Sequence, residues 1–120
     1  MPKWIASPTR IASVGNITKY ADEYVGIVNT GDVKISITMV HSPPGWLGVG
    51  QYSDYREYRV VYKGMLRVEH SEGVKEVEAG QGVDVSPGEW VRYSTPNDDG
   101  ADYVTVCVPA FSRAGVHRDE

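Results

Sequence analysis

The stretches EYRVVYKG (Glu57–Gly64) and GQGVDVSPGEWV (Gly80–Val91) decide the fold of this 120-residue chain. In both, β-branched and aromatic residues alternate with polar ones, which is the period of a half-buried strand. The first stretch ends in a glycine, and a Ser-Pro-Gly turn (residues 86–88) interrupts the second. Glycine and proline at such points favour tight turns. The two stretches therefore predict short strands joined by sharp corners.

The same alternation recurs along most of the chain, and segments rich in Gly, Pro, Asn and Asp separate the alternating runs. Only Ile17–Tyr24 has weak helical character. Eight short strands at this spacing favour a sandwich, a jelly roll or a barrel. The predicted strands are Tyr24–Val28, Val33–His41, Glu57–Lys63, Met65–His70, Val74–Glu78, Gly82–Val85, Trp90–Ser94 and Asp102–Ala110.

The two quoted stretches resemble the motifs of the cupin superfamily, a group of small double-stranded β-helix barrels with jelly-roll topology. The first cupin motif ends in a glutamate, six residues and a glycine, which Glu57 and Gly64 match. The second runs from a glycine through a Pro-x-Gly turn, and the segment from Gly80 to Val91 has that spacing. The resemblance implies an all-β, single-domain barrel over residues 17–112. Residues 1–16 would be an N-terminal extension and 113–120 a C-terminal tail.

The metal-bearing positions of the family are replaced. The resemblance places a His-x-His pair shortly before the glutamate, where this chain has Gln-Tyr-Ser at residues 51–53, and the second-motif histidine falls on Val91. First-row divalent metals favour imidazole and carboxylate ligands. We therefore expect neither the usual three-histidine, one-glutamate site nor any cofactor. The alternative is a divalent transition metal at a relocated site built from Glu57, Gln51 and His41.

A ligand site can be predicted by taking Glu57 as inward, as the family pattern implies, because strand residues two apart share a face. Arg59 then faces the interior beside Glu57, and guanidinium groups suit bidentate binding of carboxylates. A structural ion pair at the barrel rim, with Arg59 facing solvent, is the other interpretation. The full predicted lining is Gln51, Ser53, Glu57, Arg59, Val91, Tyr93 and Trp46.

Three functions remain open on this basis. The first is a barrel that binds an organic acid or similar small ligand without the usual metal. The second is an enzyme, which would be an isomerase, epimerase or lyase with Glu57 as base, or a dioxygenase with the relocated metal. The third is a structural or interaction module. Cys107 lies mid-strand, where we expect a buried, inert thiol.

Composition excludes several classes of protein. Sixteen acidic residues outnumber twelve basic ones without a basic footprint, which argues against nucleic-acid binding. No run approaches the roughly 18 apolar residues of a membrane helix, and the first residues lack the apolar core of a secretory signal. One cysteine cannot form an intramolecular disulfide. We expect a cytoplasmic protein, and the resemblance implies a homodimer.

Overall fold

A computed structural model describes residues 1–120. The protein is an all-β, single-domain jelly roll in which eleven strands curl into a double-stranded β-helix barrel. None of its segments forms a helix long and apolar enough to span a membrane. The strands are β1 Thr9–Ser13, β2 Lys19–Val25, β3 Ser36–Ser42, β4 Trp46–Leu47, β5 Gln51–Ser53, β6 Arg56–His70, β7 Gly73–Glu78, β8 Gly82–Val85, β9 Val91–Thr95, β10 Ala101–Val108 and β11 Val116–Arg118.

Strand β6 joins the two halves of the barrel. Its first half pairs with β10 and β8, and its second half pairs with β7 and β9, always antiparallel. The sequence predicted two strands here, Glu57–Lys63 and Met65–His70, but they are one strand. Gly64 lies between them at a φ of +76°, and a Cβ there would lie 2.1 Å from the carbonyl oxygen of Gly100. Glycine therefore lets one strand change direction where a break was expected.

The remaining strands complete the wall. On one side β10 pairs with β3, β3 with β2, and β2 with β1. On the other side β9 pairs with β4 and β5, and β5 pairs with β11. An apolar core fills one part of the interior and includes Val61, Leu66, Val68 and Tyr103, all nearly inaccessible to solvent. Burying each such side chain stabilises the fold by roughly 1.5–3 kcal/mol.

The weak helical interpretation of Ile17–Tyr24 is wrong, because most of this segment forms β2. Lys19, Ala21 and Glu23 face inward and alternate with outward-facing residues. Pairing with β1 and β3 on both edges outweighs a small intrinsic preference for helix.

Both terminal segments contribute strands to the barrel of their own chain. Within residues 1–16, β1 pairs with β2, and within residues 113–120, β11 pairs with β5. The sequence did not reveal β1, β4, β5 or β11. Two to five residues are too few to establish an alternating pattern.

Candidate functional site

The barrel encloses a cavity of about 110 Å³ that is partly open to solvent. For scale, a dry engineered cavity of about 150 Å³ holds benzene, so this space suits a small organic molecule. Apolar side chains line slightly more than half of it. The polar and charged side chains of the lining are Ser13, Lys19, Thr38, Gln51, Tyr55, Glu57, Arg59, Tyr93, Thr105 and Arg118.

A charged cluster lies inside the barrel between the first half of β6, which carries Glu57 and Arg59, and Tyr93 on β9. Glu57 Oε1 accepts hydrogen bonds from Arg59 Nε at 2.5 Å and from the Tyr93 hydroxyl at 2.6 Å. The guanidinium carbon lies 3.8 Å from the centroid of the Tyr93 ring. The Glu57 and Arg59 side chains are only 4% and 11% exposed. The interpretation with Arg59 facing solvent at the rim is therefore wrong, because the pair lies inside the barrel.

The Arg59 guanidinium keeps its charge at neutral pH. Burial works against the charged guanidinium, but the Glu57 carboxylate holds the pKa of Arg59 well above its ordinary value. Burial also raises the pKa of Tyr93, so its hydroxyl stays protonated and donates to Glu57. Both donors bind Oε1, which leaves Glu57 Oε2 without a hydrogen bond from the protein. This oxygen is the free acceptor of the cluster.

A second polar cluster, which sequence reasoning missed, joins the first. Lys19 Nζ lies 3.2 Å from the Tyr103 hydroxyl and 3.5 Å from the centroid of the Trp46 ring. Ser42 Oγ lies 3.0 Å from the same Tyr103 hydroxyl, and Arg59 Nη1 donates to it at 3.4 Å. The phenol oxygen of Tyr103 therefore connects the two clusters.

The second cluster shifts the ionisation of its members. Burial lowers the pKa of Lys19 because the ammonium loses its hydration. Burial alone would raise the pKa of Tyr103, but the nearby charges of Lys19 and Arg59 outweigh it, and the pKa falls below its ordinary value. Lys19 reaches the cavity, whereas Tyr103 is fully buried and lies outside the cavity lining, so the lysine is the member of this pair that a bound molecule can touch.

Two buried polar atoms in the cavity wall have no hydrogen-bond partner: Thr105 Oγ1 and Trp46 Nε1. An unsatisfied buried polar atom costs roughly 1–3 kcal/mol. The Trp46 donor lies against Gly15, where a Cβ would come within 2.3 Å of it. Thr105 therefore offers a hydroxyl to a bound molecule.

Five of the seven predicted lining residues reach the cavity: Trp46, Gln51, Glu57, Arg59 and Tyr93. The other two, Ser53 and Val91, are buried but lie outside the cavity lining. Val91 packs in the apolar core instead.

The relocated metal site is not assembled. The alternative metal site required His41 to face the interior with Glu57 and Gln51. His41 alternates with the inward residues of β3 instead. Its side chain is 70% exposed and pairs with Asp102 on the outer face. It therefore does not join Glu57 and Gln51. Across all 120 residues, no three His, Cys, Asp or Glu side chains converge as a metal-binding group. The donors present do not fit the three-histidine, one-glutamate site of the family.

Cys107 is buried, as predicted, and its side chain borders the cavity. Burial, and secondarily the charge of Glu57, raise its pKa to about 12. The thiolate is the nucleophilic form of cysteine. The thiol is therefore protonated at neutral pH.

Sequence signals existed for some of the missed residues. Tyr103, Thr105 and Cys107 alternate within the predicted strand Asp102–Ala110, so they could have been assigned to one face. Lys19 was concealed by the helical interpretation of its segment. Arg118 was concealed because the tail gave no strand signal, although β11 brings it opposite Gln51.

Comparisons with known proteins support the fold. No protein-family model matches the chain. It is 29% identical over 101 residues to endoribonuclease YbeY of Myxococcus xanthus, which is 84% of this chain and 34% of that protein. The chain thus spans about a third of the length of this curated relative.

Two solved structures resemble the barrel closely. Oxalate decarboxylase from Bacillus subtilis superposes with a TM-score of 0.76 at 16% identity, over 95% of this chain and 30% of that one. Streptomyces Pac13 with uridine, a nucleoside dehydratase, superposes with a TM-score of 0.77 at 14% identity, over 100% and 93% of the two chains. At such identities the likeness concerns the fold alone. The chain folds as a cupin-like β-barrel.

Proposed function

We propose that this protein binds a small organic acid in the cavity of its barrel. One observation carries the proposal: three cationic side chains, those of Lys19, Arg59 and Arg118, line the cavity with a single carboxylate, that of Glu57. Glu57 is already paired with Arg59. Arg118 is exposed, whereas Lys19 and Arg59 are largely buried beside this one carboxylate, where their positive charge favours an anion.

The donors suit a carboxylate in particular. Arg59 uses Nε for Glu57 and Nη1 for Tyr103, which leaves N–H groups of its planar fork for a ligand. Hydrogen bonds to charged groups are each worth about 1.5–3 kcal/mol. Glu57 Oε2 would accept a hydrogen bond from a hydroxyl of the same molecule. The unpartnered Thr105 hydroxyl would donate to a carbonyl or accept from a hydroxyl. The bound species is therefore a small hydroxy or keto acid.

A thermal-shift screen tests the proposal, with small carboxylic acids and neutral sugars as probes. We expect melting-temperature increases with acids, lost in Arg59→Gln and retained in Arg56→Gln. Arg56 is the matched control because it lies on the same strand with its side chain paired to Asp84 at the surface. If acids give no shift, or if the shift survives Arg59→Gln in a folded protein, the proposal is wrong.

A second candidate function is acid–base catalysis on such a ligand, with Glu57 as base. The observation that favours it is the Glu57 Oε2 atom, which has no partner in the protein. Two structural neighbours, a decarboxylase and a dehydratase, are enzymes by name. Proton NMR of acids incubated with the protein in heavy water would show exchange of the hydrogen on the carbon next to the carboxylate of a hydroxy acid, or next to the ketone of a keto acid. Catalysis requires that this exchange disappear in Glu57→Gln, and an unchanged rate would contradict it.

A further inference from the structure

Lys19 is unusual because it is a buried lysine without a carboxylate partner. It is only 5% exposed, and it takes part in no salt bridge. Its ammonium group has one hydrogen bond, to the Tyr103 hydroxyl, and the face of Trp46. Lysine is rarely buried unless paired. An apolar side chain would fill this position at a lower free-energy cost, so packing alone does not explain the lysine.

The surroundings of Lys19 suit an amine that reacts. Its side chain reaches the cavity lining, so a bound molecule can touch it. Burial and a neighbouring cation are the two ways in which proteins turn a lysine into a nucleophile, and Arg59 supplies the cation. Both cationic groups lie within hydrogen-bond distance of one atom, the Tyr103 hydroxyl oxygen. Lys19 and Arg59 both line the cavity, so a bound molecule can meet an amine and a guanidinium together, whereas Tyr103 lies behind the lining.

We propose that Lys19 forms an imine with the carbonyl group of a small α-keto acid whose carboxylate is held by Arg59. The inference rests on the proposed binding of organic acids and adds the reacting group. In an α-keto acid the carbonyl carbon is bonded directly to the carboxylate carbon. Two functional groups that are adjacent in the ligand thus match two protein groups that meet at Tyr103.

The chemistry balances without an oxidant or a metal. The Lys19 ammonium first releases one proton to solvent. The resulting neutral amine attacks the carbonyl carbon, and one of its protons passes to the carbonyl oxygen to give a carbinolamine. The C–O bond then breaks, the nitrogen loses its remaining proton, and one water molecule leaves. Tyr103, which contacts Ser42, lies within hydrogen-bond distance of the Lys19 nitrogen and is placed to take its proton, while solvent, to which the cavity is partly open, protonates the departing hydroxyl. The product is one C=N bond and one water.

Reductive trapping tests the inference directly. The full-length protein is incubated with pyruvate and sodium cyanoborohydride, which reduces an imine to a stable secondary amine. We expect a mass gain of one carboxyethyl group, located by peptide mapping to Lys19. Lys63, on the outer part of β6, is the internal reference in the same molecule. Labelling spread over the exposed lysines without preference for Lys19 would overturn the proposal.

Two variants and one competitor test whether the label depends on Lys19 and on a free carboxylate site. The label should be lost in Lys19→Arg, which keeps the positive charge, and retained in Lys63→Arg. Propionate, which has the carboxylate but no ketone, should reduce labelling by occupying Arg59. If Lys19→Arg fails to fold, the peptide map of the labelled protein without substitutions still shows whether Lys19 is the labelled residue.

A thermal shift with pyruvate alone separates this inference from the proposed function. A shift without labelling of Lys19 would refute the imine and leave acid binding standing. If pyruvate gives neither a shift nor a label, the imine is refuted, and the screen with the other acids decides the proposed function.

Discussion

Strand β6 carries two arginine–carboxylate pairs that differ in their surroundings. Arg59 binds Glu57 at 2.5 Å inside the barrel, where their side chains are 11% and 4% exposed. Three residues earlier, Arg56 binds Asp84 at 2.8 Å on the outer side, where their side chains are 39% and 52% exposed. The chemistry of the two pairs is the same. Alternation along the strand places one pair inside the barrel and the other at the surface.

The contrast explains why the inner pair is informative. An exposed pair gains little, because water and salt screen it and two long side chains lose freedom. A buried pair loses hydration that its mutual attraction only partly restores, so apolar residues would often stabilise a fold as well or better. Glu57 and Arg59 therefore indicate that the barrel interior serves a purpose other than stability.

The largest expected effect comes from Arg59→Met. It leaves Glu57 as an unpaired buried carboxylate, and breaking such a pair costs about 3–5 kcal/mol of unfolding free energy. Urea denaturation measures the loss, and Arg56→Met is the matched control, for which we expect no change beyond experimental error. Replacing both Glu57 and Arg59 by Met should recover much of the loss. A double variant as unstable as the single one would contradict this account of the pair.

A smaller effect is expected for Tyr93→Phe. Glu57 Oε1 loses one of its two donors, and the ring that stacks on the Arg59 guanidinium remains. The cost should be about 1–3 kcal/mol, again from urea denaturation. Tyr58→Phe is the control, because Tyr58 lies on the same wall with its side chain facing outward. Equal losses in the two variants would mean that the hydroxyl of Tyr93 contributes nothing specific.

The alkylation rate of the Cys107 thiol can be compared between the native barrel, where it is buried, and the unfolded chain, where it is exposed. With a pKa of about 12 and little exposure, its thiol should react with iodoacetamide far more slowly in the native protein than in the urea-unfolded chain at mildly alkaline pH. Mass spectrometry of timed samples measures both rates. Fast native alkylation would show that the interior opens readily to solvent.

The smallest effect concerns a surface pair. A hydrogen bond from Arg92 lowers the pKa of Glu69. Because the folded value lies below the unfolded one, the contribution to stability exists above the unfolded pKa and disappears as pH falls through the folded one. NMR titration should show the pKa of Glu69 rising in Arg92→Gln, while stability hardly changes. A large stability loss would contradict the contrast between surface and buried pairs.

The sequence was sufficient for the fold and for half of the site. Glu57, Gly64 and the Pro87-Gly88 turn placed the barrel, and alternation from Glu57 correctly brought Arg59 and Tyr93 inward. Alternation could be interpreted there because the cupin-like motifs indicate which residues of β6 and β9 face inward, whereas β1, which is as short as β9, has no such reference.

The other half of the site depends on long-range pairing. Lys19 and Tyr103 are far apart in the chain and meet through the order β2-β3-β10, which no local pattern encodes. Arg118 reaches the cavity only because the short β11 pairs with β5. His41 lies on the outer face because β3 pairs with β2 and β10, and this pairing is likewise not defined by a local pattern.

Calorimetric titration with acids and their amides tests the central claim most directly. Pyruvate, lactate and succinate are each compared with the corresponding amide, which has nearly the same shape and no charge. The surplus positive charge of the cavity predicts that at least one acid binds about tenfold or more tightly than its amide, a difference of about 1.4 kcal/mol. If every acid binds no better than its amide, the barrel is not a receptor for organic acids.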